Sequence, residues 1–323
     1  MCTAVTYKTK DHYFGRTLDL ECSYREEVVV TPRNFPFSFR KMGVQERHYA
    51  IIGMATVAQE YPLYYEAANE HGLAMAGLNF PGNAHYFEEK TGRDNIAPFE
   101  FVPWILGQCR NLEEARKLLE RLNLYNIHFS EELPLSPLHW ILADRAGAIT
   151  VESMADGLHI HENPVGVLTN NPPFDYHMTH LCDYLNLTHQ TPENRFGDVE
   201  LPPYSRGMGA MGLPGDLSSA SRFVRASFVK LNSVSGAGEE ESVSQFFHIL
   251  GSVQQQRGCV QMPDGRYEIT VYTSCINTDR GIYYYTTYGN PGISTVDMHK
   301  CQLSGAQLCR FSLVKELQIH HQN

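Results

Sequence analysis

Met1-Cys2-Thr3-Ala4-Val5-Thr6-Tyr7 opens the chain, Lys8-Thr9-Lys10-Asp11-His12 interrupts it, and Tyr13-Phe14-Gly15-Arg16-Thr17-Leu18 resumes it. Two segments rich in β-branched and aromatic residues around a polar turn predict a pair of adjacent strands. The chain therefore begins inside a sheet. Its far end has the same character. Tyr267-Glu268-Ile269-Thr270-Val271-Tyr272-Thr273 alternates, with Tyr267, Ile269 and Val271 on one face. Ile282-Tyr283-Tyr284-Tyr285-Thr286-Thr287-Tyr288 follows the turn Thr278-Asp279-Arg280-Gly281. Val28-Val29-Val30, stopped by Pro32, and the runs Ala50 to Met54 and Leu73 to Leu78 predict further strands.

Helical periodicity is clearest over 112–122, where Leu112, Ala115, Leu118, Leu119 and Leu122 share a face. Asn111 is its expected N-cap, with Glu114 completing a capping box. A second helix is expected over 222–231 behind Ser221, and a third over 244–250. Strands in runs at both ends with helices grouped between them favour an α+β fold with antiparallel sheets over a doubly wound parallel one.

The chain has 323 residues, 26 Lys and Arg against 36 Asp and Glu, and 42% hydrophobic residues with 19% charged. That balance excludes a disordered chain. The length allows two domains or one large mixed domain. A net charge of −10 without a dense basic stretch argues against nucleic-acid binding. It leaves room for a small anionic substrate held by one or two buried arginines. No apolar run approaches the roughly 20 residues of a spanning helix, so no membrane partner is expected. The N-terminus lacks the pattern of a secretory signal, and cytoplasmic residence is the expectation. The Asn186-Leu187-Thr188 sequon is then a chance match. Eight cysteines without a Cys-x-x-Cys pair read as reduced thiols rather than a zinc knuckle.

Cys2 differs from the other seven. Aminopeptidases remove Met1 ahead of a small residue, which leaves a free α-amine on the carbon next to the one bearing the thiol. An α-amine titrating near 7.7–8.0 can act as base for its own nucleophile. Taken alone, Met-Cys is more simply an accident of the start codon. On a strand beside the first, Arg16 and Leu18 share a face and Asp19 lies near the end. A guanidinium beside the thiol would favour thiolate, and Asp19 could hold the amine or the arginine; a surface ion pair is the plainer reading. Gly77-Leu78-Asn79-Phe80-Pro81 and Leu168-Thr169-Asn170-Asn171-Pro172 each end an apolar run with Asn at a turn. Such residues are structural or form an oxyanion hole. Gly207-Met208-Gly209-Ala210-Met211-Gly212 matches a dinucleotide fingerprint in letters only, because no parallel strand precedes it and Pro214-Gly215 blocks a helix after it. It reads as a loop. His159 and His161 read as solvent-facing strand residues without a third metal ligand, and the Tyr283 to Tyr285 run as sheet packing.

Together the segments resemble the choloylglycine hydrolase family, the bile salt hydrolases and penicillin V acylases of the N-terminal nucleophile hydrolases. The resemblance spans essentially the whole chain. It rests on Met1-Cys2-Thr3-Ala4, Phe14-Gly15-Arg16-Thr17-Leu18-Asp19, Asn34, Tyr61-Pro62, Gly77-Leu78-Asn79-Phe80-Pro81 and Leu138-His139-Trp140. Gly166-Val167-Leu168-Thr169-Asn170-Asn171-Pro172, Gly212-Leu213-Pro214-Gly215-Asp216, Ser221-Arg222-Phe223 and Gly281-Ile282-Tyr283-Tyr284-Tyr285 complete it. The pattern is most similar to bile salt hydrolases of lactic acid bacteria and enterococci.

The resemblance implies one domain over 1–323, an αββα sandwich of two stacked antiparallel sheets between helical layers. It also implies cofactor-free amide hydrolysis in a cytoplasmic homotetramer. Carried over, Cys2 is the nucleophile and its amine the base, and Arg16, Asp19, Asn79, Asn170 and Arg222 complete the catalytic set. Leu18, Phe129 and Leu133, with Tyr65 as a weaker candidate, would line the steroid pocket. Asn at position 79 favours bile salts, since many penicillin V acylases carry Tyr there. Two positions depart from the pattern. Thr17 replaces a common Asn, with little expected effect because it faces away from Arg16. Ala58 replaces a bulky aromatic, which bears on steroid fit and not on the chemistry.

Overall fold

The computed structural model describes residues 1–323. Its strands are β1 (Cys2–Lys8), β2 (His12–Leu20), β3 (Glu27–Thr31), β4 (Phe37–Phe39), β5 (Gly43–Gln45), β6 (Ile51–Ala58), β7 (Tyr61–Asn69), β8 (Ala74–Asn79) and β9 (Asp94–Ile96). They continue with β10 (Leu122–Leu124), β11 (Leu138–Asp144), β12 (Gly147–Met154), β13 (Gly157–Glu162), β14 (Val167–Leu168), β15 (Ile269–Asn277), β16 (Ile282–Thr287), β17 (Ser294–Asp297) and β18 (Cys309–Ser312). The helices are α1 (Phe101–Leu106), α2 (Leu112–Leu119), α3 (Phe174–Leu181), α4 (Ser219–Asn232) and α5 (Glu239–Gly251).

Two antiparallel sheets dominate. One runs β14-β1-β2-β15-β16-β17 and the other β13-β12-β11-β8-β7-β6-β3-β18. The first hairpin forms as expected, with Cys2 opposite Leu18 and Ala4 opposite Arg16. Gly15 is required there, because a Cβ would lie 2.0 Å from the Ser274 carbonyl oxygen of β15. One core, with Ala4, Phe14, Leu18, Leu78, Ile141 and Tyr283, fills the space between the sheets and continues under α4 and α5. A second core packs α1 and α2 on the outer face of the larger sheet through Trp104, Ile105, Leu119 and Trp140. Helices thus cover both outer faces, the αββα sandwich. No helix is long and apolar enough to cross a membrane.

The structure moves several boundaries. α4 starts at Ser219 with Ser218 as N-cap, three residues before the expected Ser221 cap, because Ser219 and Ala220 continue the turn that Ser218 closes. α2 does keep its Asn111 cap, accepting from the Glu114 N–H, but ends at Leu119. Leu122 belongs to β10, pairing with Asp94. α5 begins five residues before the expected start at Ser244. The last long strand begins at Ile269, and Tyr267 only bridges Gln261 and is exposed. A bulge between Thr270 and Tyr272 breaks the simple alternation there. Asn170 lies at a bend and Asn79 ends β8, the expected loop over 207–212 contains one 3₁₀ turn (Met208–Ala210), and Tyr283 and Tyr285 pack in the sheet as the sequence reading expects.

Candidate active site

Cys2 begins the edge-proximal strand of the smaller sheet, beside β14, and is buried. Residues of even number on β2 point between the sheets, so Leu18 and Arg16 share that space with it. Arg16, itself buried, reaches across to the larger sheet. Its Nη1 donates to Gly77 O at 2.5 Å and Tyr65 O at 3.3 Å. It thereby takes the carbonyls of β7 and β8 just beyond their last ladder pair, Glu66 with Ala76. Burial opposes its charge, but Cys2, Tyr272, Glu66 and Asp19 outweigh that and hold the guanidinium above its usual range.

Odd-numbered residues of β2 face the α4 and α5 layer. Asp19 accepts from Thr270 Oγ1 at 2.6 Å and from Thr17 Oγ1 at 3.0 Å. Burial pushes its carboxyl above the ordinary carboxylate range against the pull of Arg222. Thr17 does face away from Arg16, yet it also accepts from the Thr3 N–H at 3.2 Å. It is part of the support of Asp19, closer to the site than expected. The bulge explains Thr270: one side of it aims Thr270 at Asp19, and the other aims Tyr272 between the sheets at Glu66.

Arg222, from the second turn of α4, lies behind Cys2. Nη1 donates to Cys2 O and Thr3 Oγ1, both at 2.6 Å, Nη2 to Asn170 Oδ1 at 2.8 Å, and Nε to Leu217 O at 3.0 Å. Burial lowers its affinity for the proton, with Asp19 and Cys2 opposing. Asn170 joins the pieces. Its Oδ1 accepts from the Cys2 N–H at 2.8 Å and its Nδ2 donates to Asn79 O at 2.7 Å. Phe80 N–H bonds Pro137 O on the β11 side. By strand alternation the Asn79 N–H and C=O both face the opposite edge, where Asn170 stands. Ahead of Cys2, the Met1 amine bonds Asp19 O at 2.6 Å and pairs with Glu268.

The structure therefore gathers Cys2, Arg16, Leu18, Asp19, Asn79, Asn170 and Arg222 at one end of the sandwich. Tyr65 packs beside the same inter-sheet core, with its hydroxyl 2.9 Å from Thr56 Oγ1. Phe129 packs with Tyr61 (ring centroids 6.0 Å apart) and Phe99 (5.2 Å) under Arg40. Leu133 closes the turn from Ser130. A cavity of about 920 Å³ is a polar basin lined by residues that include Arg33, Asn34, Arg47 and Glu70, and Cys2 does not line it. No group of three or more His, Cys, Asp or Glu is arranged to hold a metal ion.

A family model of linear amide C–N hydrolases, the choloylglycine hydrolase family, matches residues 2–311. The chain belongs to this family. Among choloylglycine hydrolases it is 53% identical to a bile salt hydrolase/transferase of Lactiplantibacillus plantarum, over the full length of both chains. A crystal structure of a mutant conjugated bile acid hydrolase from Clostridium perfringens superposes with a TM-score of 0.92 at 37% identity, covering all of both chains. Penicillin V acylase from Agrobacterium tumefaciens shares the fold at a TM-score of 0.76 and 20% identity, covering 97% of this chain and 92% of that one.

Sequence reasoning missed several residues of this choloylglycine hydrolase site. Glu66 is fully buried, 3.9 Å from Arg16 Nε, and accepts from Tyr272 at 2.7 Å and Tyr283 at 2.5 Å. Burial raises its carboxyl to about 6, against Arg16 and the two hydroxyls. In the sequence Thr270 and Glu268 show only as polar residues of a strand, and His139 only as one letter of a motif. A charged residue inside an otherwise apolar strand, as in Tyr64-Tyr65-Glu66-Ala67-Ala68, was the signal available for Glu66.

Proposed function

We propose that this chain hydrolyses the amide joining a bile-acid acyl group to glycine or taurine, using Cys2 as nucleophile once Met1 has been removed. The Cys2 α-amine takes the thiol proton. The thiolate attacks the amide carbonyl, forming a C–S bond and a tetrahedral oxyanion. Asn170 Nδ2, with its second proton, and the Asn79 N–H stabilise that oxyanion. The protonated α-amine then gives its proton to the departing amine as the C–N bond breaks, leaving a thioester. The same amine deprotonates water, which attacks the thioester and releases bile acid and thiol.

Arg222 and Asp19 hold the Cys2 backbone and its surroundings rather than the substrate. Arg16 supplies positive potential between the sheets. Leu18 and Tyr65 form the near apolar wall, and Phe129 and Leu133 the outer one. We take the chain as one domain that needs no cofactor and works in the cytoplasm as a homotetramer, which light scattering at assay concentration would test.

One observation carries the reading: Asn170 touches both the Cys2 nitrogen and the Asn79 carbonyl, at 2.8 and 2.7 Å. Base and oxyanion donors are thus set from a single side chain. The test is parallel turnover of glycocholate, taurocholate and penicillin V by protein whose intact mass lacks Met1. Cleavage of the bile salts well ahead of penicillin V is expected. Equal or faster turnover of penicillin V would reverse the substrate assignment, and full activity with Met1 retained would remove the amine as base.

A further inference from the structure

His139 lies on β11, buried, on the face that looks across to the smaller sheet. Its Nδ1 is 2.9 Å from Glu152 Oε1 and its Nε2 is 3.0 Å from Thr169 O. Thr169 O is an acceptor, and so is Glu152 in its ionised form. A neutral imidazole has one donor nitrogen and one lone pair, so it would turn that lone pair on a carboxylate or a carbonyl. Only the doubly protonated ring serves both. Glu152, also fully buried, is its counter-ion. The same carboxylate accepts from Phe174 N–H at 3.1 and 3.2 Å, closing the start of α3 where Pro173 has no side chain to do so.

The contacts of this ring reach both segments of the oxyanion site. Thr169, whose carbonyl it holds, precedes Asn170. The ring also lies flat on Phe80, with centroids 4.2 Å apart and planes 5° apart, and Phe80 follows Asn79. A cation on an aromatic face is attractive. The other charged or titratable side chains facing the pair are His161, its Nε2 3.6 Å from Glu152 Oε2, and His177. His177 donates Nε2–H to Asn170 O at 2.8 Å, and burial, with His139 among the lesser causes, lowers its pKa to about 4. His177 is therefore neutral, and the charge of the cluster rests on His139 and Glu152.

We propose that His139, held as an imidazolium by Glu152, is a positioning residue for amide cleavage: it fixes the spacing between the Asn79 and Asn170 segments that form the oxyanion site. The proposal rests on the mechanism above and adds a group that touches no substrate. Misplaced donors weaken transition-state stabilisation without weakening substrate binding. H139F keeps the stack and loses both hydrogen bonds, whereas E152Q keeps the shape and removes the counter-ion.

For both variants kcat on glycocholate should fall 10- to 100-fold, with KM within twofold and the rate of Cys2 alkylation unchanged. In the wild-type enzyme at pH 7, ¹⁵N NMR should show both His139 ring nitrogens protonated. In E152Q at the same pH one ring nitrogen should lack its proton. A folded H139F with wild-type kcat, a neutral His139 ring at pH 7, or a kcat loss matched by an equal loss of alkylation would each overturn the proposal. Should H139F fail to fold, the wild-type and E152Q ring states decide. Wild-type protein inactive on glycocholate would refute the substrate assignment, while the protonation of the His139 ring at pH 7 would still decide whether it is held as an imidazolium.

Discussion

Asn170→Ala removes the side chain on which the two halves of the site meet. Three hydrogen bonds disappear: from Cys2 N and Arg222 Nη2 to its Oδ1, and from its Nδ2 to Asn79 O. At about 1 kcal/mol for each such bond, stability should drop by about 3 kcal/mol. That is a Tm loss of roughly 4–5 °C for a chain of 323 residues, and the enzyme stays folded. The kinetic loss is separate. One oxyanion donor is worth about 2.7–4 kcal/mol in the transition state, so kcat should fall about 10²–10³-fold. The assay is single-turnover cleavage of glycocholate beside the rate at which iodoacetamide alkylates Cys2. Acylation should collapse while alkylation, which develops no oxyanion, stays within about fivefold. The reasoning fails if acylation falls less than threefold, or if alkylation falls in step with it. The second result would make Asn170 a partner of the nucleophile alone.

Three further outcomes follow from other parts of the molecule. Arg16→Met strips the buried Glu66 carboxyl of its nearest cation and leaves Gly77 O and Tyr65 O without their donor. It should cost about 3–5 kcal/mol in urea unfolding and slow Cys2 alkylation at pH 7 more than tenfold; alkylation at the wild-type rate would show that Arg16 does not act on the thiol. His12 and His177 are both lowered by burial to about 4. Between pH 6.5 and 4 the unfolded chain binds protons that the folded one refuses, so stability is lost as pH falls. From pH 7 to 5 the loss is about 2 kcal/mol per histidine, with Glu66, raised to about 6, returning about 1 kcal/mol. His12→Asn should flatten that slope, and an unchanged slope by urea unfolding would contradict the assignment. Gln59 and Glu60 both carry left-handed backbone (φ 50° and 59°) in the turn between β6 and β7. Glu60→Gly should therefore stabilise by about 0.5–1 kcal/mol, and a lower Tm would show that the Glu60 side chain has an unrecognised partner.

Much of the frame was legible because it is local. β1 and β2 are consecutive, so their alternation and connecting turn place Arg16 and Leu18 on the face of Cys2. The Asn111 cap was visible for the same reason. Errors arose where distant chain decides. Whether Leu122 ends a helix or starts a strand depends on Asp94 being there to pair with it. The bulge at Thr270–Tyr272 reverses which residues of that strand face the site, and no period-2 reading contains it. The packing of Phe129 against Tyr61 and Phe99, from other segments, is likewise not contained in any local pattern.

The order of residues alone determined that a thiol and an α-amine can lie on adjacent carbons at the start of a buried strand. Those groups are neighbours by covalent bond, and the strand by periodicity. Only the tertiary structure decided what surrounds them. Arg222 reaches Cys2 O from 220 residues away, Glu66 sits near Arg16 across the gap between the sheets, and His139 joins the two asparagine segments. Such contacts depend on how sheets and helices pack, and packing is a property of surfaces that form only once the local elements exist.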